Sequence, residues 1–389
     1  MDFRFTEEQE RLRQEVREFL DRELPKESHA GDNDLWVSIR GYSPEFSRKL
    51  GEKGWIGITW PKEYGGGGRS YLDRLIVCEE LFRRGAPVGA HWPADRQVGP
   101  SLLAFGTQEQ KRQFLPRLAR AEIFVNIGLS EPGAGSDLAS VQTRAEEKED
   151  CFIVNGQKLW QSMAHKCQYI YLLARTDPNV PKHKGLSEFL VEINLPGITI
   201  RPVLDMTGEH HFNEVFFDNV RIPKDSLIGE RNNGWYQSNA HLDYERGGIE
   251  RAMTNYPIYM DIIKYVKETG LNKEPWIRQE LAELEVEYQV ARLLCYRVTW
   301  MLSQGIRPTL ETAGAKVFGM DHAKRLANTV TKIIGLYGQL MPDSKHAPLK
   351  GRAAVNFLWS PAYTFSAGTS EIMRNLIATR GLGLPIAKG

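Results

Sequence analysis

At 389 residues the chain has room for two or three structural units of the usual ~100–200 residues and for a large buried core. Fifty Lys+Arg against forty-nine Asp+Glu leave a formal charge of +1, so nothing global attracts nucleic acid, an anionic membrane or an acidic substrate. Four cysteines, Cys78, Cys151, Cys167 and Cys295, form neither a CxxC pair nor a metal-ligand spacing, so a reduced chain with no disulfide and no metal is expected.

The opening MDFRFTEEQE is charged from the start, unlike a secretory signal, and no apolar run reaches the ~18 residues of a membrane span. A soluble cytoplasmic protein is expected. Thr6 and Gln9 stand at capping-box spacing, and Leu12, Val16, Phe19 and Leu20 follow at i, i+4, i+7 and i+8, which predicts an amphipathic first helix. Helical periodicity resumes over 44–53, 72–84 and 107–118, with turn chemistry at Trp60-Pro61 and at the four glycines Gly65–Gly68. From Ile123 to Ile228 the text changes to short apolar or alternating runs, among them CFIVNGQKLW, YIYLLAR and EVFFDNVRI, parted by Gly, Pro, Asn and Asp. Asn155-Gly156 inside one such stretch predicts a type I′ hairpin turn. After Gly234 helical periods return, with Pro275 able to open a helix whose apolar stripe runs Leu281, Leu284, Tyr288, Ala291, Leu294, Val298, Leu302. The fold class is mainly α with an inserted β-domain, in blocks 1–120, 121–230 and 231–389. Strands and helices do not alternate, which excludes a βαβ dinucleotide-binding unit.

The stretch that bears most directly on chemistry is Gly128-Leu-Ser-Glu-Pro-Gly-Ala-Gly-Ser-Asp137, a strand running into a glycine-rich turn with hydroxyls at Ser130 and Ser136. Glycines let backbone N–H groups approach ligand oxygens closely, though the spacing is not GxGxxG. On the residues alone it reads equally as a ligand-cradling turn or as a plain hairpin loop. His210-His211 are adjacent, so in a strand they face opposite ways and do not make a metal pair; a solvated surface is expected. Gly65–Gly68 lacks the GK[ST] of a phosphate loop.

The Gly128–Asp137 stretch resembles the first signature of the acyl-CoA dehydrogenase family. Further matches fall in order along almost the whole chain: Trp60-Pro-Lys-Glu-Tyr-Gly-Gly, Phe105-Gly-Thr-Gln-Glu-Gln-Lys, Asn155-Gly-Gln-Lys-Leu-Trp160 and Gly368-Thr-Ser-Glu-Ile-Met-Arg374. The resemblance implies an N-terminal helical domain, a middle β-barrel and a C-terminal four-helix bundle, assembled as a dimer of dimers around FAD. It implies α,β-dehydrogenation of an acyl-CoA thioester, with electrons passed to an electron-transfer flavoprotein. Carried over by position, Leu129 and Ser130 resemble residues at the flavin pyrimidine edge, and Gly135 and Ser136 lie where flavin and thioester meet. Trp160 resembles the aromatic packed on the isoalloxazine, Ser162 the hydroxyl near flavin N5, and Gly368, Thr369 and Glu371 the diphosphate contact.

The base departs from the commonest pattern. Many members carry Glu directly before the terminal GTS, whereas this chain has Ala367, which cannot accept a proton but keeps a backbone N–H for the thioester carbonyl. The run Leu242-Asp-Tyr-Glu-Arg246 resembles the motif of members with their base on the first helix of the C-terminal domain. Glu245 is then the expected catalytic base, with Asp243 and Arg246 lining the substrate site; its alternative is a carboxylate that only pairs with Arg246. Gly247-Gly248 directly after it are expected to admit a bulky, branched or ring-bearing acyl group.

This base placement resembles subunits of heteromeric bacterial steroid side-chain and pimeloyl-type dehydrogenases. Two segments that usually reach across the dimer to FAD read Lys267-Glu-Thr-Gly-Leu-Asn-Lys-Glu-Pro275 and Ile333-Ile-Gly-Leu-Tyr-Gly338 here, without the family's Arg-x-x-Phe-Gly and Gln-x-Phe-Gly-Gly. The expectation is therefore an α2β2 assembly with a related partner subunit, against a homotetramer. A non-catalytic structural subunit is the alternative from another class, and a flavin oxidase or monooxygenase on the same fold is a third.

Overall fold

The computed structural model describes residues 4–24, 41–239 and 247–385. The chain forms two compact units, each discontinuous in sequence: one from residues 1–42, 69–89 and 246–389, the other from 43–68 and 90–245.

The first unit is helical. Helix α1 (Glu7–Glu23) starts at the Thr6 capping box, with Gln9 closing it from N3, and buries Leu12, Val16, Phe19 and Leu20. Helix α3 (Tyr71–Arg83) has its own capping box, Ser70 with Asp73, which satisfies two orphan amides at its start. A single turn, α7 (Glu250–Met253), leads into α8 (Tyr256–Glu268). The long α9 (Pro275–Ser303) opens on Pro275 at N1, where a missing N–H costs nothing. Helices α8, α9, α10 (Thr309–Ile334) and α11 (Arg352–Phe365) contribute to one apolar cluster that includes Ile258, Ile262, Leu284, Leu326, Val330 and Ala353. A buried ionic knot ties α1 and α3 to α9: Arg13 donates to Glu79 at 2.8 Å and to Glu80 at 2.7 Å, while Arg292 and the Tyr296 hydroxyl also reach Glu79. Burial alone would raise Glu79, yet Arg292 and Arg13 beside it hold its carboxyl below the usual range.

The second unit holds α2 (Pro44–Glu52), α4 (Gly99–Phe105), α5 (Gln108–Ala119), the helical turn α6 at 234–239 and an eight-stranded sheet. The strands are β1 (Val125–Gly128), β2 (Arg144–Glu147), β3 (Cys151–Lys158), β4 (Tyr169–Arg175), β5 (Leu186–Glu192), β6 (Ile198–Val203), β7 (Phe212–Pro223) and β8 (Leu227–Ile228). Their order is β6-β7-β3-β2-β4-β5-β8, with β1 parallel to β4 off that path. The expected barrel is not found: the terminal strands β6 and β8 are not paired with each other, and β8 is only two residues long, so the sheet stays open. β4 is buried on both faces over Tyr169–Ala174, which explains why YIYLLA reads as a continuous apolar run instead of alternating.

Asn155-Gly156 is not a hairpin turn. Both residues lie inside β3, where the register against β7 slips between Val154 and Gly156. Gly156 has φ +147°, and a Cβ there would fall 2.6 Å from Thr143 Cα, so the glycine serves a β-bulge and a close strand approach. The β2–β3 turn comes earlier, closed by Lys148 N–H donating to the Cys151 carbonyl.

The Trp60-Pro-Lys-Glu-Tyr-Gly-Gly run is a folding element. Trp60 is buried, and Gly99 at the start of α4 lies so close that a Cβ would fall 2.0 Å from Trp60 Cζ2. Gly99→Ala is therefore expected to lower the unfolding free energy by about 1–3 kcal/mol through overpacking. Denaturant titration measures this, and an unchanged midpoint contradicts it.

Candidate functional site

In the second unit, β1 delivers the chain into the turn at Leu129–Asp137, which closes on itself through Glu131 N–H to the Ala134 carbonyl at 2.9 Å and the reciprocal bond at 3.1 Å. The turn stands on a buried ion pair. Lys158, fully buried at the end of β3, donates to Glu131 Oε1 at 2.8 Å and to the Leu129 carbonyl at 2.9 Å. Glu131 also accepts the backbone N–H groups of Gln142 at 2.6 Å and Thr143 at 2.9 Å. Burial would raise the Glu131 carboxyl, but the Lys158 charge and these donors hold it below its ordinary value. Burial lowers the Lys158 ammonium to about 8, with Glu131 opposing the fall. Sequence reading missed this pair; its signals are a charged residue between buried strand positions and a Glu within a glycine turn.

The sequence-predicted residues of this unit converge on the segment that leaves β3. Leu159 N–H donates to the Ser130 carbonyl at 3.0 Å, which brings turn and segment together. Trp160 follows at φ +64°, its indole 55% exposed and edge-on to Phe212 with centroids 5.7 Å apart. The Ser162 carbonyl accepts from the buried Asn126 amide at 2.8 Å. Gly135 and Ser136 lie exposed at the tip of the turn, and a Cβ on Gly133 or Gly135 would meet nothing within 4 Å.

His210-His211 do not form a solvated pair. His211 is buried, its carbonyl accepting from Met163 N–H, because the chain entering β7 folds over the 160–163 segment. His210 stacks on His165 with ring centroids 3.9 Å apart and planes 17° from parallel. Burial, with His210 and Lys166 beside it, holds His165 below the usual imidazole value.

The same unit anchors α6. Buried Glu188 accepts from Ser238 Oγ at 2.5 Å, Gln237 Nε2 at 3.1 Å and the Tyr171 hydroxyl at 2.7 Å. Burial and the Glu188 charge push the Tyr171 phenol well above its ordinary value. Glu245, Asp243 and Arg246, expected from sequence as base and substrate contacts, lie outside the described residues.

In the first unit, Ala367 and Gly368 form a left-handed turn at φ +54° and φ +92°. Fully buried Lys316 on α10 fixes it by donating to the Gly368 carbonyl. Thr369 is the N-cap of α12 (Ser370–Leu376), accepting from Ile372 N–H at 3.1 Å. Glu371 is exposed in its first turn, while the Ser370 hydroxyl is buried with no hydrogen-bond partner among the described residues. Gly247 does not open space for a ligand: a Cβ there would fall 2.6 Å from Val298 and 2.7 Å from Thr312. Gly248 is equally confined, by the Glu250 carboxylate. Gly247 allows close packing onto α9 and α10, and Gly248 lies against α7, which corrects the expectation that they widen an acyl pocket.

The family descriptions "Acyl-CoA dehydrogenase, N-terminal domain", "middle domain" and "C-terminal domain" match residues 6–122, 126–220 and 232–382. The chain belongs to the acyl-CoA dehydrogenase family. Acyl-CoA dehydrogenase IpdE1 of Mycobacterium tuberculosis is 35% identical over 342 residues, 87% of each chain. Among solved structures, the Tcur3481-Tcur3483 steroid ACAD matches at TM-score 0.90 and 32% identity, covering 100% of both chains. The ChsE4-ChsE5 complex from Mycobacterium tuberculosis matches at TM-score 0.86 and 32% identity, again over 100% of both. The family is one of FAD-dependent oxidoreductases acting on acyl-CoA, and the chain takes that class and that cofactor. The residues present in the second unit fit the group's ring: a widely exposed indole offers a face to a planar ring, and the 129–137 turn has open space at its glycines.

The buried pair carries a stability prediction. Glu131→Gln leaves the Lys158 ammonium uncompensated and should cost about 3–5 kcal/mol. Adding Lys158→Met should recover part of that by removing the orphan charge; the rest stays lost, because Gln142 and Thr143 donate to separate carboxylate oxygens and the amide keeps only one acceptor. Because the folded Glu131 titrates below its ordinary 4.5, its contribution is in force above about pH 4.5 and is lost as pH falls further. Thermal melts against pH check both, and a Glu131→Gln protein as stable as the parent contradicts the assignment.

Proposed function

We propose that the chain dehydrogenates a bulky, branched or ring-bearing acyl-CoA thioester with Glu245 as its base, within a heteromeric α2β2 assembly. What carries this reading is the substitution at 367. The turn before Gly368 has an alanine, so a proton acceptor must come from elsewhere, and Glu245 stands in the run Leu242–Arg246 that resembles the family's other base position. FAD, when bound, supplies an acceptor for the β-hydride. Leu129, Ser130, Gly135, Ser136, Trp160 and Ser162 would hold its ring, and Gly368, Thr369 and Glu371 its diphosphate. The indole excludes water from that face. The Ala367 N–H, fixed in its left-handed turn by Lys316, would donate to the thioester carbonyl and acidify the α-proton that Glu245 removes. Ser136, Asp243 and Arg246 would line the substrate. A dry pocket raises the pKa of such a carboxylate toward its working range.

Likeness to a steroid ACAD supports the bulky acyl group, and likeness to a two-chain ChsE4-ChsE5 complex supports the related partner. The changed segments at 267–275 and 333–338 support it too, with Leu336 and Tyr337 strongly exposed. An electron-transfer flavoprotein is the proposed acceptor. The three matched spans support domains at 1–120, 121–230 and 231–389, and four free, buried cysteines support a cytoplasmic setting. The alternative, a non-catalytic structural subunit, draws on the same Ala367 and altered segments.

In the assembled, flavin-loaded enzyme, Glu245→Gln should lower kcat about 10²–10⁴-fold with flavin content unchanged. An unaltered rate would contradict the base assignment and favour the non-catalytic alternative. Turnover confined to short linear acyl-CoAs contradicts the bulky substrate.

A further inference from the structure

The segment from Trp160 to Met163 has no ladder of its own. It leaves β3 at Lys158, and β4 begins only at Tyr169. Two of its residues, Trp160 at φ +64° and Met163 at φ +55°, hold left-handed conformations that non-glycine residues adopt only when their surroundings impose them. Asn213 supplies that constraint. Its backbone carbonyl accepts from Gln161 N–H at 3.0 Å, and its side-chain Nδ2 donates to the Gln161 carbonyl at 2.8 Å, so one fully buried residue grips the peptides on both sides of position 161. Position 161 stands between Trp160 and Ser162, and Phe212, the residue before Asn213, walls the indole ring.

The orientation of the Asn213 amide is itself determined. A carbonyl can only accept, so Nδ2 must face Gln161 and Oδ1 must face away from it. On that far side Oδ1 meets two imidazoles, His165 Nδ1 at 3.1 Å and His210 Nε2 at 2.7 Å. Both ring nitrogens must then carry hydrogens, and a flipped amide would set its NH₂ against two donors. The stack of the two rings keeps both donors aimed at one oxygen.

We infer that Asn213 is a positioning residue for the Trp160–Ser162 segment, held in its working orientation by the stacked His165 and His210. The inference rests on the proposal that this segment faces the flavin. Small displacements of Trp160 and Ser162 then change the surroundings of the ring and the alignment for hydride transfer, whereas binding of the CoA thioester is untouched.

The test uses the flavin-loaded enzyme, with its partner chain where the assembly is heteromeric, and three variants. Asn213→Asp keeps shape and both acceptors but loses the donor to Gln161. His210→Ala removes one half-buried ring from a loop and decides the matter should Asn213→Asp fail to fold. Trp160→Leu tests the underlying reading by itself. The expected result is a shifted flavin absorption band in all three, with kcat about ten- to a hundredfold lower and KM unchanged in the Asn213 and His210 variants. A shift with Trp160→Leu alone overturns the positioning role. No shift with any variant overturns the flavin-facing reading, and this inference with it.

Discussion

The buried pair of Glu131 and Lys158 is the constraint on which the 129–137 turn of the second unit depends. A charge with no water around it is tolerated only when fully paired, and here one carboxylate takes an ammonium and two backbone N–H groups while the ammonium takes a second acceptor, the Leu129 carbonyl. The result is that three stretches far apart in sequence, the 129–137 turn, the entrance to β2 and the end of β3, can meet in only one register. Leu159 N–H then pairs with the Ser130 carbonyl, and the exposed Trp160 follows directly after it.

A comparable device operates in the helical unit. Buried Lys316 donates to the Gly368 carbonyl, and that bond fixes the turn at Ala367. In both units a lysine removed from solvent shapes a tight turn, and in both the turn carries residues that the family resemblance assigns to cofactor or substrate.

Local chemistry was legible wherever the deciding partner lay within a few residues. The capping box at Thr6, the Pro275 start and the change to strand-like text at Ile123 depend on short-range hydrogen bonds and periodicity, and the structure has them, with β1 opening at Val125. Where a distant residue decides, the same letters misled. Asn155-Gly156 has turn chemistry, yet Thr143, just before β2, makes it a bulge; Gly247 suggests an opening, yet Val298 and Thr312 fill it. His210 looked like surface because His165, 45 positions earlier, is its stacking partner. Sheet closure was likewise beyond reach, since pairing of edge strands is set by the twist of the whole sheet. The site residues around Trp160 were located by resemblance, whereas their support by Asn213 and Lys158 needed coordinates.

The proposed assembly divides the flavin site, with one face on this chain and the remainder on a related chain. Flavin absorbance per polypeptide, measured together with native mass on the chain purified alone and again with its partner, tests it most directly. The expected result is a folded protein with little flavin when alone and a full complement in the two-chain assembly. One flavin per chain in a homotetramer would contradict it.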